Sequence, residues 1–393
     1  MDQIFSGARV VDPASGLDAV VDVGISDGRI AAIGDHLAAA HPAAAVRRLD
    51  GLLLTPGLID QHAHCFVGLG NFCLEPDLIG VGMGVPTLID AGTSGVATFE
   101  LARRAVIDHP ATRTEVLALI DPNQLYLATK DFICHKLRIA NDLKNLDVEA
   151  TVEMVERNRD VVLGFKVRTC VAGGDPRRSP FLQAAQEAAG ELPCMIHLGR
   201  FPYTRSISTA DALDSLRPGD IVTHAYRGGG GAVDRSGKVT AEFAAAYERG
   251  VRMDVGHSGE DFRFRAARAL LEAGYPPHTI STDLNVFNLH GPVFSLATTM
   301  SKLWALGCSL ADVVAMTTVN VAEQMNLSAT HGRIEVGRAA TLSVLRITEA
   351  PTALSDGYRS IVADRVLEPV GCTVRGRWFD ADGFETAPRQ EAA

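Results

Sequence analysis

The sequence predicts an α/β fold: a (β/α)8 TIM barrel with a small β-sandwich domain built from both termini. Two observations predict it. Short apolar runs recur through the middle of the 393-residue chain, separated by stretches of helical pattern, which marks βα units and a parallel sheet. Both ends instead alternate in period two and are broken by turn residues.

At the N-terminal end, 8–13 and 22–30 read as short strands around the hairpin pair Asp27-Gly28. At the C-terminal end, 340–345 and 369–374 are strand-like, with Gly376 in a turn. The expected composite domain is 1–54 plus 333–385, the barrel 55–332, and 386–393 a polar, frayed tail. Eight runs are expected as barrel strands: 58–60, 87–90, 116–120, 162–167, 194–197, 221–224, 251–255 and 279–283. Helices are expected between several of them, as at 180–189 and 262–273. Such a barrel carries its site at the C-terminal ends of the strands.

Hydrophobic residues are 47% of the chain, ample for a large core, and charged residues 21%, an ordinary globular share. Lysine plus arginine (37) against aspartate plus glutamate (47) gives 37 − 47 = −10. That acidic balance argues against a nucleic-acid partner, though a pocket can still be locally positive. The seven cysteines are scattered and never form a C-x-x-C pair, which fits reduced thiols in a cytoplasmic protein. The first residues lack the basic and apolar regions of a signal peptide, and no apolar run approaches the ~20 residues of a membrane span. The expected partner is a small-molecule substrate, with no nucleic acid and no membrane. A homo-oligomer is compatible with the sequence, its order left open.

The chemistry begins at His62-Ala63-His64, just past the run ending at Asp60. On an extended backbone residues i and i+2 point the same way, so both imidazoles can face one point at the barrel mouth. Alone, the pair reads equally as a surface or core feature. Its setting changes that: Lys166, His197, His224 and Asp283 each sit at or near the end of a separate apolar run. A lysine within Leu163-Gly164-Phe165-Lys166-Val167 either snorkels out of the barrel end or is a buried ammonium that must be neutralised. His197 alone reads also as a core histidine, and Asp283 alone as a helix N-cap. Five strands, each ending in a residue of ligand or bridge type, are hard to assemble by such accidents together.

At these residues the chain resembles a known family. Pro56-Gly57-Leu58-Ile59-Asp60-Gln61-His62-Ala63-His64 is very similar to the first-strand signature of the amidohydrolase superfamily, the group of dihydroorotases, hydantoinases and related deacetylases. The resemblance continues through Gly164-Phe165-Lys166-Val167-Arg168, Ile196-His197, Thr223-His224-Ala225-Tyr226 and Ile280-Ser281-Thr282-Asp283, over essentially the whole chain. Asp254-Val255-Gly256-His257, Ser281-Thr282-Asp283-Leu284 and Thr298-Thr299-Met300-Ser301-Lys302 resemble its bacterial amidohydrolase/deacetylase, or dihydroorotase-like, branch.

The resemblance implies two divalent metal ions bridged by an N6-carboxylated Lys166. The ligand types suit zinc, with manganese, cobalt or iron open. In such sites a neutral lysine amine takes up carbon dioxide, and the carbamate offers one oxygen to each metal. The resemblance assigns the more buried metal to His62, His64, Asp283 and one carbamate oxygen. It assigns the more exposed metal to His197, His224 and the other oxygen. Two cations lower the pKa of a bridging water, and the hydroxide attacks a carbonyl polarised by the exposed metal. Asp283 is the expected catalytic residue, first general base and then general acid.

The expected activity is hydrolysis of an amide or ester in a small carboxylate-bearing acyl compound, an N-acyl amino acid or an acyl α-hydroxy acid. The alternative is a cyclic amidohydrolase that opens a cyclic amide or imide. Arg168, two residues beyond Lys166 on the same strand face, is expected to hold a substrate carboxylate in bidentate fashion, against the reading of a structural ion pair. Tyr226 and Asn285 stand in the same relation to His224 and Asp283 and are candidate polar contacts, and His257 can line the pocket or support a ligand. Arg227-Gly228-Gly229-Gly230-Gly231 lacks the Lys-Ser/Thr ending of a phosphate loop and reads as a mobile active-site loop. Cys65 alternates away from the ligands and reads as packing. A one-metal deaminase does not need Lys166, and a non-catalytic scaffold would have lost ligands that this chain keeps.

Overall fold

The computed structural model describes residues 1–172, 175–199, 201–229 and 231–381. The expected tail at 386–393 therefore lies outside the described residues, as do 382–385 of the expected β domain and Gly230 of the glycine run.

Seven parallel strands follow one another in chain order around the barrel: Ile59–Ala63, Thr87–Gly95, Glu115–Asp121, Val162–Arg168, Cys194–His197, Ile221–Thr223 and Arg252–Met253. The fourth is buried along its whole length, as a strand with helices outside and packed side chains inside must be. The eighth expected run, 279–283, forms no regular strand. It closes the circuit by isolated bridges, Asp254 to Thr279 on one side and Ala63 to Leu284 on the other. The backbone bonds from His257 N to Ser281 O (3.1 Å) and from His64 N to Leu284 O (3.0 Å) complete the closure. Asp283 interrupts the pleat because its φ is 54°, in the left-handed region.

The helices that clothe the barrel carry their own start signals. Pro180–Ala189 opens on proline, with the Ser179 side chain accepting from Leu182 N. Leu296–Ala305 is capped by Ser295, which accepts from Thr298 N, and Leu310–Ala315 by a capping box of Ser309 and Asp312. Phe264–Glu272 turns Phe264, Ala266, Ala267 and Leu270 inward, the helical spacing expected of a one-sided helix.

The chain ends form two further sheets, the first from N-terminal strands alone and the second from both ends. One has four strands in the order Arg29–Gly34, Asp22–Ser26, Gln3–Ser6, Ala45–Arg48. The other has six, in the order Arg377–Asp380, Val366–Val374, Leu342–Thr348, Leu53–Pro56, Arg9–Asp12, Leu17–Val20. Phe5, Val10, Val23, Ile25, Leu54, Leu342 and Val344 form a core of their own there, separate from that of the barrel. A hairpin of Thr352–Ser355 and Ser360–Ala363 turns toward the barrel mouth. Buried Asp356, in its turn, accepts from Phe264 N (2.9 Å), which ties the hairpin to a helix start. Among the described residues no helix is long and apolar enough to cross a membrane.

Candidate metal centre

The histidine pair sits where the first strand loses register with the second, between Asp60 and Ala63. That irregularity brings both rings to the barrel mouth, with centroids 5.7 Å apart. Nε2 of His64 lies 3.0 Å from Asp283 Oδ1, and Nε2 of His62 lies 3.4 Å from the same oxygen. His62, His64 and Asp283, all buried, have ligand atoms within 4.8 Å of one another, close enough to hold one cation. Lys166 Nζ stands 2.7 Å from His62 Nε2. On the far side the His224 ring lies 5.2 Å from that of His62 and 4.5 Å from that of His197. All six expected metal-ligand positions thus face one cavity of about 700 Å³.

Several backbone features make this convergence possible. Gly92, at φ +74°, faces Lys166: a Cβ there would lie 2.7 Å from the lysine Cβ. His224 follows the end of its strand with a φ of 63°, which swings its ring so that Nδ1 donates to Gly256 O at 2.6 Å. The opposite nitrogen, Nε2, is then a lone pair. It is buried and has no hydrogen-bond partner among the described residues, and neither has Asp283 Oδ1.

The electrostatics favour a cation over protons. Burial, then the Lys166, His224, His64 and His197 charges, holds His62 well below the ordinary imidazole range. Burial does the same to His197, followed by His224 and Lys166. Burial also pushes Lys166 down to about 7, with Arg168 adding to the effect, so a neutral amine is accessible near neutral pH. Burial alone would raise Asp283, but His64, His224 and Lys166 outweigh it and hold the carboxylate below its usual range. A buried carboxylate beside imidazoles whose Nε2 atoms face one point is the donor set that a divalent ion neutralises.

Arg168 extends from the strand of Lys166 and pairs laterally with His197. Its Nη1 donates to Asp121 Oδ2 at 2.8 Å and to Gly92 O at 3.3 Å, and its guanidinium lies 4.2 Å from the Tyr126 ring centroid. It is therefore both an ion-pair partner and part of the cavity wall. Asn285 also lines the cavity, with its Nδ2 donating to Asp283 O at 2.7 Å. Phe72, Phe132, Phe201, Phe287 and Tyr358 add an aromatic wall.

Two expected contacts are corrected. Tyr226 does not reach the site: it is fully buried in the core and its hydroxyl donates to Tyr275 O at 2.9 Å. The i, i+2 rule fails there because His224 leaves the extended conformation. His257 is likewise fully buried outside the cavity lining, its Nε2 2.7 Å from Lys302 Nζ. Cys65 is buried, as alternation indicates. Arg227, read only as the start of a glycine run, lines the cavity and pairs with Asp261 at 3.2 Å. Its guanidinium lies where a Cβ on Gly199 would be, and no linear pattern announces that contact. The aromatic wall was equally hidden, because its members sit on separate loops.

Residues 257–370 match the amidohydrolase family. The chain is 31% identical to a deacetylase of Brucella anthropi, over 90% of this chain and 86% of that protein. A crystal structure of an adenine deaminase is similar with a TM-score of 0.84 and 27% identity, covering 96% of this chain and 99% of that one. A crystal structure of a dihydroorotase is similar with a TM-score of 0.84 and 28% identity, at the same coverages of 96% and 99%.

Proposed function

The chain belongs to the amidohydrolase superfamily, and we propose that within it this protein is a two-metal hydrolase. It acts on the amide or ester bond of a small carboxylate-bearing acyl compound, an N-acyl amino acid or an acyl α-hydroxy acid. The observation that carries the reading is the set of inward ligand atoms without a hydrogen-bond partner among the described residues: Asp283 Oδ1, 3.0 Å from His64 Nε2, and His224 Nε2.

His62, His64 and Asp283 hold one ion in this reading. His197 and His224 would hold a second, and a carboxylated Lys166, 2.7 Å from His62 through its Nζ, would add an anionic ligand to the centre. The neutral Lys166 amine forms a new bond to the carbon of carbon dioxide and releases one proton. When bound, the ions supply Lewis acidity toward a carbonyl oxygen and make hydroxide available near neutral pH. Asp283 takes a proton from the attacking water and returns it to the leaving nitrogen or oxygen. Asn285 steadies that residue through its backbone oxygen.

Arg168 receives the substrate carboxylate, and Asp121 balances its charge when no substrate is present. The aromatic wall shields the reacting carbonyl from bulk water and contacts the apolar part of the substrate. Tyr226 and His257 have no substrate contact in this scheme. The second reading, opening of a cyclic amide or imide, is favoured by the likeness to the dihydroorotase structure.

An activity screen of the metal-loaded chain decides between them. The panel is N-acyl amino acids, acyl α-hydroxy acids and cyclic imides. Turnover confined to the acyclic carboxylates is expected. Turnover confined to the cyclic imides would replace the first reading with the second.

A further inference from the structure

Both histidines of the His62-Ala63-His64 motif turn Nδ1 away from the cavity, and both meet a threonine. His62 Nδ1 lies 2.8 Å from Thr223 Oγ1, and His64 Nδ1 lies 2.8 Å from Thr93 Oγ1. Each threonine hydroxyl in turn donates to a buried carboxylate: Thr223 to Asp254 Oδ2 at 2.7 Å, Thr93 to Asp90 Oδ2 at 2.9 Å. The two threonines come from different barrel strands, the sixth and the second, so the same chain of groups is built twice.

The direction of these bonds follows from counting protons. Asp254 is surrounded by donors: besides Thr223 it accepts from Gln61 Nε2 (2.9 Å), Thr279 Oγ1 (2.9 Å) and Ser281 Oγ (2.7 Å). Asp90 accepts from Cys65 N (2.8 Å), Phe66 N (3.3 Å) and Thr93 N (3.0 Å) as well as the Thr93 hydroxyl. Neither carboxylate has a proton to give, so each threonine spends its single hydroxyl proton on the acid. Its oxygen can then only accept from the histidine. Both rings must carry their proton on Nδ1 and present Nε2 as a bare lone pair. Lys166 Nζ, 2.7 Å from His62 Nε2, is consistent with that state, since a lysine amine donates there.

We propose that Thr93 and Thr223 are positioning residues of the metal centre. Each couples one histidine of the motif to a buried carboxylate, Asp90 or Asp254, and so fixes both the tautomer and the rotation of the ring. The inference rests on the two-metal reading above. A hydroxyl between ring and acid also keeps the imidazole proton from passing straight to the carboxylate. Both imidazoles of the motif would therefore meet an ion as neutral ligands.

The test measures zinc affinity of the full chain by competition with a chromophoric chelator, for wild type, Thr93→Val, Thr223→Val, Thr93→Ser and Thr223→Ser. Loss of an outer partner of a metal-ligating histidine lowers affinity by about 10- to 100-fold. Each valine variant is expected to fall by that factor, and each serine variant to stay within about threefold of wild type. Valine variants that bind like wild type overturn the proposal, and so do serine variants that fall as far as valine. A wild-type chain that binds no zinc overturns the two-metal reading instead, which separates the two failures. A measurement on unmutated protein stands beside these, should a valine variant fail to fold. Nitrogen-15 NMR of histidine-labelled, metal-free chain is expected to show His62 and His64 protonated at Nδ1. A proton on Nε2 of either ring overturns the proposal.

Discussion

Lys302 Nζ lies 2.7 Å from His257 Nε2 and 2.7 Å from Pro292 O, and both side chains are fully buried. The contact joins the segment after the seventh strand to the helix Leu296–Ala305 and to the loop that carries Gly291 and Pro292 into the cavity wall. It explains why His257 is absent from the cavity. The ring is occupied in supporting the wall from behind.

This pair predicts a pH dependence of stability. Burial pushes Lys302 down to about 7, with Asp356 partly offsetting it, whereas a free lysine titrates near ~10.4. Between those values the unfolded chain holds a proton that the folded chain has released. The group's contribution therefore favours folding increasingly as pH rises through that window, and the benefit is lost as pH falls through about 7. Denaturant unfolding of wild type and Lys302→Met at about pH 7 and about pH 9 is expected to show wild type gaining on the variant at the higher pH. Equal pH responses would mean the buried amine keeps its proton.

Lys166→Ala removes the proposed bridge. Metal binding and turnover are each expected to fall on the order of 100-fold or more, with partial recovery on adding a small carboxylic acid that occupies the bridge position. A variant with full activity would remove Lys166 from the centre.

Arg168 is expected to act on substrate binding and not on the chemical step. Its removal alone leaves buried Asp121 without its cation, so the cleaner variant is Arg168→Met with Asp121→Asn. For carboxylate-bearing substrates KM should rise about 10- to 100-fold, the size of one lost charge-assisted bond, with kcat little changed. The same rise for uncharged esters would end the proposed role.

Tyr226→Phe should leave kcat and KM unchanged and cost about 1 kcal/mol of stability, because it removes one buried hydrogen bond to Tyr275 O. A large loss of activity at unchanged stability would return Tyr226 to the site.

The contrast between Arg168 and Tyr226 shows what the sequence could and could not disclose. The convergence of the six positions proposed to hold metal was legible because strand ends are recognisable from apolar runs, and the mouth of a barrel gathers them. Arg168 reached the cavity because its strand stays extended through Val162–Arg168. Tyr226 failed because the turn at His224 is imposed by its bond to Gly256 O, a contact between distant segments. The same holds for Arg227 beside Gly199, for the hairpin that delivers Tyr358, and for the two threonine–carboxylate pairs behind His62 and His64. Local pattern carries residue type and strand phase. It does not carry which loops will face each other.

The central claim is a two-metal centre at His62, His64, Lys166, His197, His224 and Asp283. Its most direct test is the divalent metal content of the freshly purified chain, measured by plasma mass spectrometry against protein concentration. The expected result is about two ions per chain, lost with activity on chelation and regained with it on adding metal back. One ion per chain, or none, with activity indifferent to the chelator, would contradict it.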